Sequence, residues 1–150
     1  MKKISIILSV LFAVIATSCV KPYEPTNTLA LLNYNLTLPK TTGKVEGNVY
    51  VIQVTSTGSW EASLEHSTEA VWCWLNDGYS TSKGEHIQTV EGLETFEGDD
   101  SKFKKVRGFG TQYIALVYND NMSTKQNFAT FVVRRVDTGE TRIMNITQNK

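Results

Sequence analysis

A chain of 150 residues, with 41% hydrophobic and 20% charged side chains, has the composition of one globular domain large enough for a hydrophobic core. That balance excludes a disordered or polytopic membrane protein over the whole length. Formal net charge is zero, and no run of Lys and Arg is present to neutralise phosphates, so nucleic acid is excluded as a partner.

The chain opens MKKISIILSVLFAVIATSC, with Lys2 and Lys3 ahead of an apolar run from Ile4 to Ala16. Such a run falls short of the roughly 20 residues that a membrane span needs, and it reads as an export signal. The closing Ala16-Thr17-Ser18-Cys19 resembles a bacterial lipobox, in which small residues precede a cysteine that is lipidated on sulfur. Residues 1–18 are therefore expected to be a lipoprotein signal peptide, and Cys19 the palmitate-bearing anchor to a cell outer membrane. Several acyl chains make such anchoring stable, whereas one gives marginal binding. With Cys19 lipidated, Cys73 is left without an internal disulfide partner and is expected to be a small buried residue.

Residues 19–28 contain Pro22 and Pro25 and no apolar period, which suits an extended tether ahead of a domain over residues 29–150. Leu29 to Pro39 begins with an apolar cluster that is compatible with a helical turn and continues as a first strand. In NVYVIQVTS, period-two alternation sets Tyr50, Ile52 and Val54 against Val49, Val51 and Gln53. After the turn Thr57-Gly58-Ser59, WEASLE places Trp60, Ala62 and Leu64 on one face.

The stretch AVWCWLND then poses a choice. Alternation puts Trp72 and Trp74 on one face and Val71, Cys73 and Leu75 on the other, so the tryptophans are expected to lean outward or toward a sandwich edge. Asn76-Asp77-Gly78 ends that strand. HIQTVEG and FKKVRGFG read as two strands joined by the acidic stretch Glu94 to Asp100. That stretch lacks the spacing of an EF-hand loop, and neither His66 nor His86 has metal-ligand spacing, so no metal and no cofactor is expected. QYIALVYND sets Ile114, Leu116 and Tyr118 against Tyr113, Ala115 and Val117. FATFVVRRV, a turn over Asp137 to Glu140, and TRIMNITQ form a hairpin.

Six to eight short strands with regular turn signals and no amphipathic helix predict an all-β sandwich or barrel. The sequence TGSW, then Trp74-Leu75, then YNDN and a closing ITQ resemble the BACON domain, with Trp60, Trp74, Leu75, Asn119, Ile146 and Gln148 as carriers over Asn48 to Gln148. Gln126-Asn127-Phe128 stands where that family usually has an Arg, and the segment from Gly84 to Gly110 is longer than its usual turn. The resemblance implies an immunoglobulin-like antiparallel β-sandwich found in envelope lipoproteins, non-enzymatic, and serving either glycan binding or a spacer and protein-interaction role. Trp72, Trp74 and Tyr79 offer aromatic faces for pyranose rings, and Asn76 and Asp77 offer polar groups for their hydroxyls. These five are the candidate ligand residues.

Overall fold

The computed structural model describes residues 28–41, 48–67, 70–76 and 90–150. The signal segment, Cys19 and the tether up to residue 27 lie outside the described residues, as do Asp77 and Tyr79.

Strands rich in β-branched and aromatic residues with period two can bury one face only by packing against another sheet. Ten do so among the described residues: β1 (Leu29–Leu31), β2 (Asn35–Leu38), β3 (Asn48–Ser56), β4 (Ser59–His66), β5 (Cys73–Asn76), β6 (Glu91–Phe96), β7 (Asp99–Phe109), β8 (Gln112–Tyr118), β9 (Asn127–Arg135) and β10 (Thr141–Gln148). Their hydrogen-bonded order is β1-β3-β8-β5-β7-β4-β9-β10-β2, with β6 beside β7. The sheet curls so that β1-β3-β8-β5 forms one layer and β4-β9-β10-β2 the other. β7 joins them, because it pairs with β4 over Lys105 to Phe109 and meets β5 at Phe103 opposite Leu75.

The expected first strand is in fact two. β1 pairs antiparallel with β3, whereas β2 pairs parallel with β10, so the chain crosses from one layer to the other between Leu31 and Asn35. This split, with β1-β3-β8-β5 facing β4-β9-β10, is an immunoglobulin-like sandwich arrangement. The acidic stretch is also not a connecting loop. β6 runs to Phe96 and β7 starts at Asp99, leaving a tight turn at Glu97 and Gly98, whose φ of 82° suits glycine. Lys104 pairs with Glu94 at 2.5 Å and Lys102 with Asp99 at 3.0 Å, which lets the acidic residues sit in strands.

The inward residues meet as expected. Ile52, Val54, Trp60, Ala62, Leu64, Cys73, Leu75, Ile114, Leu116, Phe131, Val133, Met144 and Ile146 form one buried cluster. Each large apolar side chain so buried contributes about 1.5–3 kcal/mol. Trp60 sits at the junction of β4 and β7, its Nε1–H donating to the Gly110 carbonyl oxygen at 2.9 Å. Its ring lies where Gly108 would carry a side chain, since a Cβ there would stand 2.1 Å from Trp60 Cζ2.

Polar side chains close both ends. At one, Gln148 is fully buried; its Nε2 donates to the Asn119 carbonyl at 2.7 Å and its Oε1 accepts from Asn127 Nδ2 at 3.0 Å. At the other, Arg135 is 2% exposed and is gripped by both carboxylate oxygens of Asp137, while its Nη1 donates to Thr57 Oγ1 at 2.7 Å. The guanidinium thus ties the β3–β4 turn to the β9–β10 hairpin, and its hydrogen bonds hold the Asp137 carboxyl below the usual carboxylate range.

Two outcomes follow. Gly108→Ala forces the Trp60 ring to move and is expected to cost about 1–3 kcal/mol in urea unfolding; an unchanged midpoint would remove Trp60 as the reason for that glycine. For Asp137, a folded pKa below the unfolded value of about 3.9 gives stability that is present above that pH and lost as pH falls through the folded value. Asp137→Asn should therefore lower the urea midpoint at neutral pH and flatten its decline in acid, and parallel acid limbs in the two proteins would count against the linkage.

Candidate functional site

A sandwich strand exposes its alternate residues to solvent, so the two outer faces reveal what each layer meets. The outer face of β4, β9 and β7 mixes charged and hydroxylated side chains with the exposed rings of Phe109 and Phe128. Arg107, Glu61 and Arg134 lie side by side across three strands, and Glu61 accepts from Arg107 Nη2 at 2.7 Å. This is an ordinary solvated surface.

The outer face of the other layer differs. β3 presents Val49, Val51 and Gln53, β8 presents Tyr113, Ala115 and Val117, and β5 presents Trp74 and Asn76. Strand register aligns them in rows: Val49, Val117 and Trp74 in one, then Val51, Ala115 and Asn76, then Gln53 beside Tyr113. Ala115 and Val117 are buried, with Val49, Val51 and Trp74 packed half-buried around them in a second apolar cluster on the outside of the sheet. No acidic or basic residue comes from these faces of β3, β5 or β8. Among the described residues a single cation reaches in from the flank, where Lys102 Nζ lies 4.6 Å from the Trp74 ring centroid and is also paired with Asp99.

Of the five residues expected at a ligand site, Trp74 and Asn76 are together here, one pleat apart on the same face. Trp72 is not. It is 5% exposed and belongs to the main core, contrary to the expected outward lean. Val71, expected inward, is exposed. The reason is local: β5 begins at Cys73, so the alternation assumed for Trp72 does not extend to it. Its carbonyl accepts from Asn119 N–H at 2.9 Å at the strand entrance, and its indole turns under the sheet end, edge-on to His66 at 6.0 Å between ring centroids. Gln53 and Tyr113 were absent from the candidate set; period two separated two faces in each strand, and the structure turns the one with Gln53 and the one with Tyr113 away from the core.

Cys73 is buried and free, and Leu75 is fully buried, both as expected. His66 Nε2 lies 2.9 Å from the Cys73 carbonyl oxygen and 3.4 Å from its Sγ. A carbonyl only accepts, so the hydrogen sits on Nε2 and the ring offers the thiol no base. Burial pushes the Cys73 thiol far above its ordinary range and holds His66 below its own. The pair packs as neutral groups.

No protein-family model matches the chain, and no curated protein matches it either. Among solved structures, the chain is similar to a Bacteroides ovatus GH5 xyloglucanase in complex with a XXXG heptasaccharide, with a TM-score of 0.51 and 19% identity over 81% of this chain. The likeness spans 19% of that protein's length. It shows a shared all-β fold, whose neighbour is a carbohydrate-active enzyme.

Proposed function

We propose that this chain is a non-catalytic envelope lipoprotein whose sandwich binds glycans, of host mucin or dietary polysaccharide, on the outer face of the β1-β3-β8-β5 layer. The observation that carries the reading is the surface formed by Trp74, Tyr113, Gln53 and Asn76 over an apolar floor, with the Lys102 ammonium over the Trp74 ring at its edge. An aromatic ring supplies a face for the C–H groups of a pyranose, and side-chain amides and a phenol both donate to and accept from hydroxyls. A flat sheet face suits an extended chain rather than a small enclosed molecule. The BACON resemblance and the fold shared with part of a xyloglucan-degrading enzyme support the same ligand class. Asp77 and Tyr79 follow Asn76 directly in sequence and remain candidates to extend this face. Lys102 would meet the ligand beside Trp74, and its ammonium can donate to a ring hydroxyl.

Cys19 is the proposed lipid anchor to the outer membrane, with residues up to Thr28 as the tether. Wild-type protein is expected to incorporate labelled palmitate and to partition with membranes, and Cys19→Ser to do neither. Palmitate retained by the Cys19→Ser chain would refute the anchor.

For the glycan face, detergent-solubilised full-length protein is expected to be retained by immobilised mucin or by a neutral plant polysaccharide such as xyloglucan. Trp74→Ala should reduce affinity about tenfold or more, the scale of one lost aromatic contact. Retention that is unaffected by both Trp74→Ala and Tyr113→Ala would move the site elsewhere. Absence of retention on every glycan would favour the spacer and protein-interaction reading.

A further inference from the structure

The strongest unassigned feature lies at the opposite end of β8 from Trp74. There the start of β4, the start of β6, the end of β7 and the start of β8 enclose an open groove of about 240 Å³, lined by Ser59, Val90, Glu91, Arg107, Gly108, Phe109 and Gln112. From this groove the geometry points to a second binding site, for a neutral pyranose ring, with Phe109 as its stacking platform and Arg107 and Glu91 as its hydroxyl clamp. The inference rests on the glycan reading for the ligand class but uses none of the residues of the Trp74 face.

Phe109 is 69% exposed, a large apolar side chain held out in water. It is also not on a loose loop. Its N–H donates to Gln112 Oε1 at 2.7 Å, the next residue's N–H donates to the Gly58 carbonyl at 3.2 Å, and the Gly110 carbonyl is held by the buried Trp60 indole at 2.9 Å. A ring carried on a backbone fixed at three points loses little freedom when a ligand covers it, which is what lowers the cost of binding.

The charges beside it select the ligand. Arg107 Nη2 is committed to Glu61 at 2.7 Å, whereas its Nη1 stands 3.9 Å from Glu91 Oε2, too far for a direct hydrogen bond. A donor and an acceptor left at that separation are bridged by a group that is both, and a hydroxyl accepts from Nη1 while donating to Oε2. Glu61 is neutralised by Lys105 at 3.5 Å as well as by Arg107, so a carboxylate or phosphate at the groove would meet Arg107 but be repelled by Glu91. An ammonium would meet Glu91 but face Arg107. Because the basic and acidic groups around the groove offset one another, a neutral polyhydroxylated ring with one apolar face is the ligand that satisfies every neighbour.

The test is a titration of the detergent-solubilised full-length protein followed by 1H–15N NMR, using methyl hexosides of glucose, galactose and mannose through the millimolar range, with glucuronate and glucosamine as charged counterparts. At least one neutral hexoside is expected to shift the amide signals of Ser59, Phe109, Gly110 and Gln112. Phe109→Ala should weaken that titration about tenfold. Glu91→Gln, which keeps the shape and removes the charge, should weaken it less and improve glucuronate. Trp74→Ala should leave it unchanged. Still amides at the groove, shifts that survive Phe109→Ala, or charged sugars binding as well as neutral ones would each overturn the site. Glycan retention that depends on Trp74 while the groove amides stay still would sink this site alone; a chain that binds no sugar by either method would sink both readings.

Discussion

The indole of Trp60 against the bare backbone of Gly108 sets the register on which the rest of the sandwich depends. Because only a glycine fits beneath that ring, β7 can pair with β4 in one alignment, with Trp60 opposite Gly108. That alignment brings Arg107 beside Glu61, turns Phe109 outward, and delivers Gly110 to the indole nitrogen. β8 begins two residues later, so the same contact decides which of its residues face inward. A one-residue slip would turn Tyr113, Ala115 and Val117 toward the main core and Ile114, Leu116 and Tyr118 away from it.

The two layers then use the same pleat for different ends. In the β4-β9-β10 layer, outward positions carry charge and hydroxyls interspersed with Phe128, Val132 and Ile143. In the β3-β8-β5 layer, outward positions carry Val49, Val51, Ala115, Val117 and Trp74, which shield one another sideways within the sheet. Such a face costs solubility unless it has a use, and its polar rim of Asn76, Gln53 and Tyr113 supplies hydrogen-bonding groups without charge. The buried Cys73 and His66 beneath it belong to the packing of the layer.

Residue patterns made much of this legible. Trp60, Ala62 and Leu64 alternate cleanly and are buried, the two faces that period two separates in β3 and β8 part as expected, and β9 and β10 form the hairpin that their turn predicts. What the patterns did not carry was pairing at long range. The apolar start of LALLNYNLTL is compatible with a helical turn, and nothing local shows that it is a strand of its own; the partners β3 and β10 impose the crossing between Leu31 and Asn35. The acidic residues of β6 and β7 look like a loop until Lys104 is placed across from Glu94 and Lys102 beside Asp99 within β7. Trp72 reads as outward only if the strand is assumed to start before Cys73. The site was half visible, since Trp74 and Asn76 follow from alternation, while their meeting with Gln53 and Tyr113 follows only from register. Phe109 carries no signal at all in sequence, because an exposed aromatic at a strand end looks like any other.

The divided first strand has a mechanical consequence. β2 lies parallel to β10, with Asn35 opposite Asn145 and Leu38 opposite Gln148, so tension entering ahead of β1 and leaving beyond β10 pulls the two strands past each other along their length. Their hydrogen bonds are loaded together in shear instead of being peeled one at a time. Before that ladder parts, β1 must also be stripped from β3. The chain therefore puts a joint in each layer directly in the path of a pull between the residues ahead of β1 and those beyond β10.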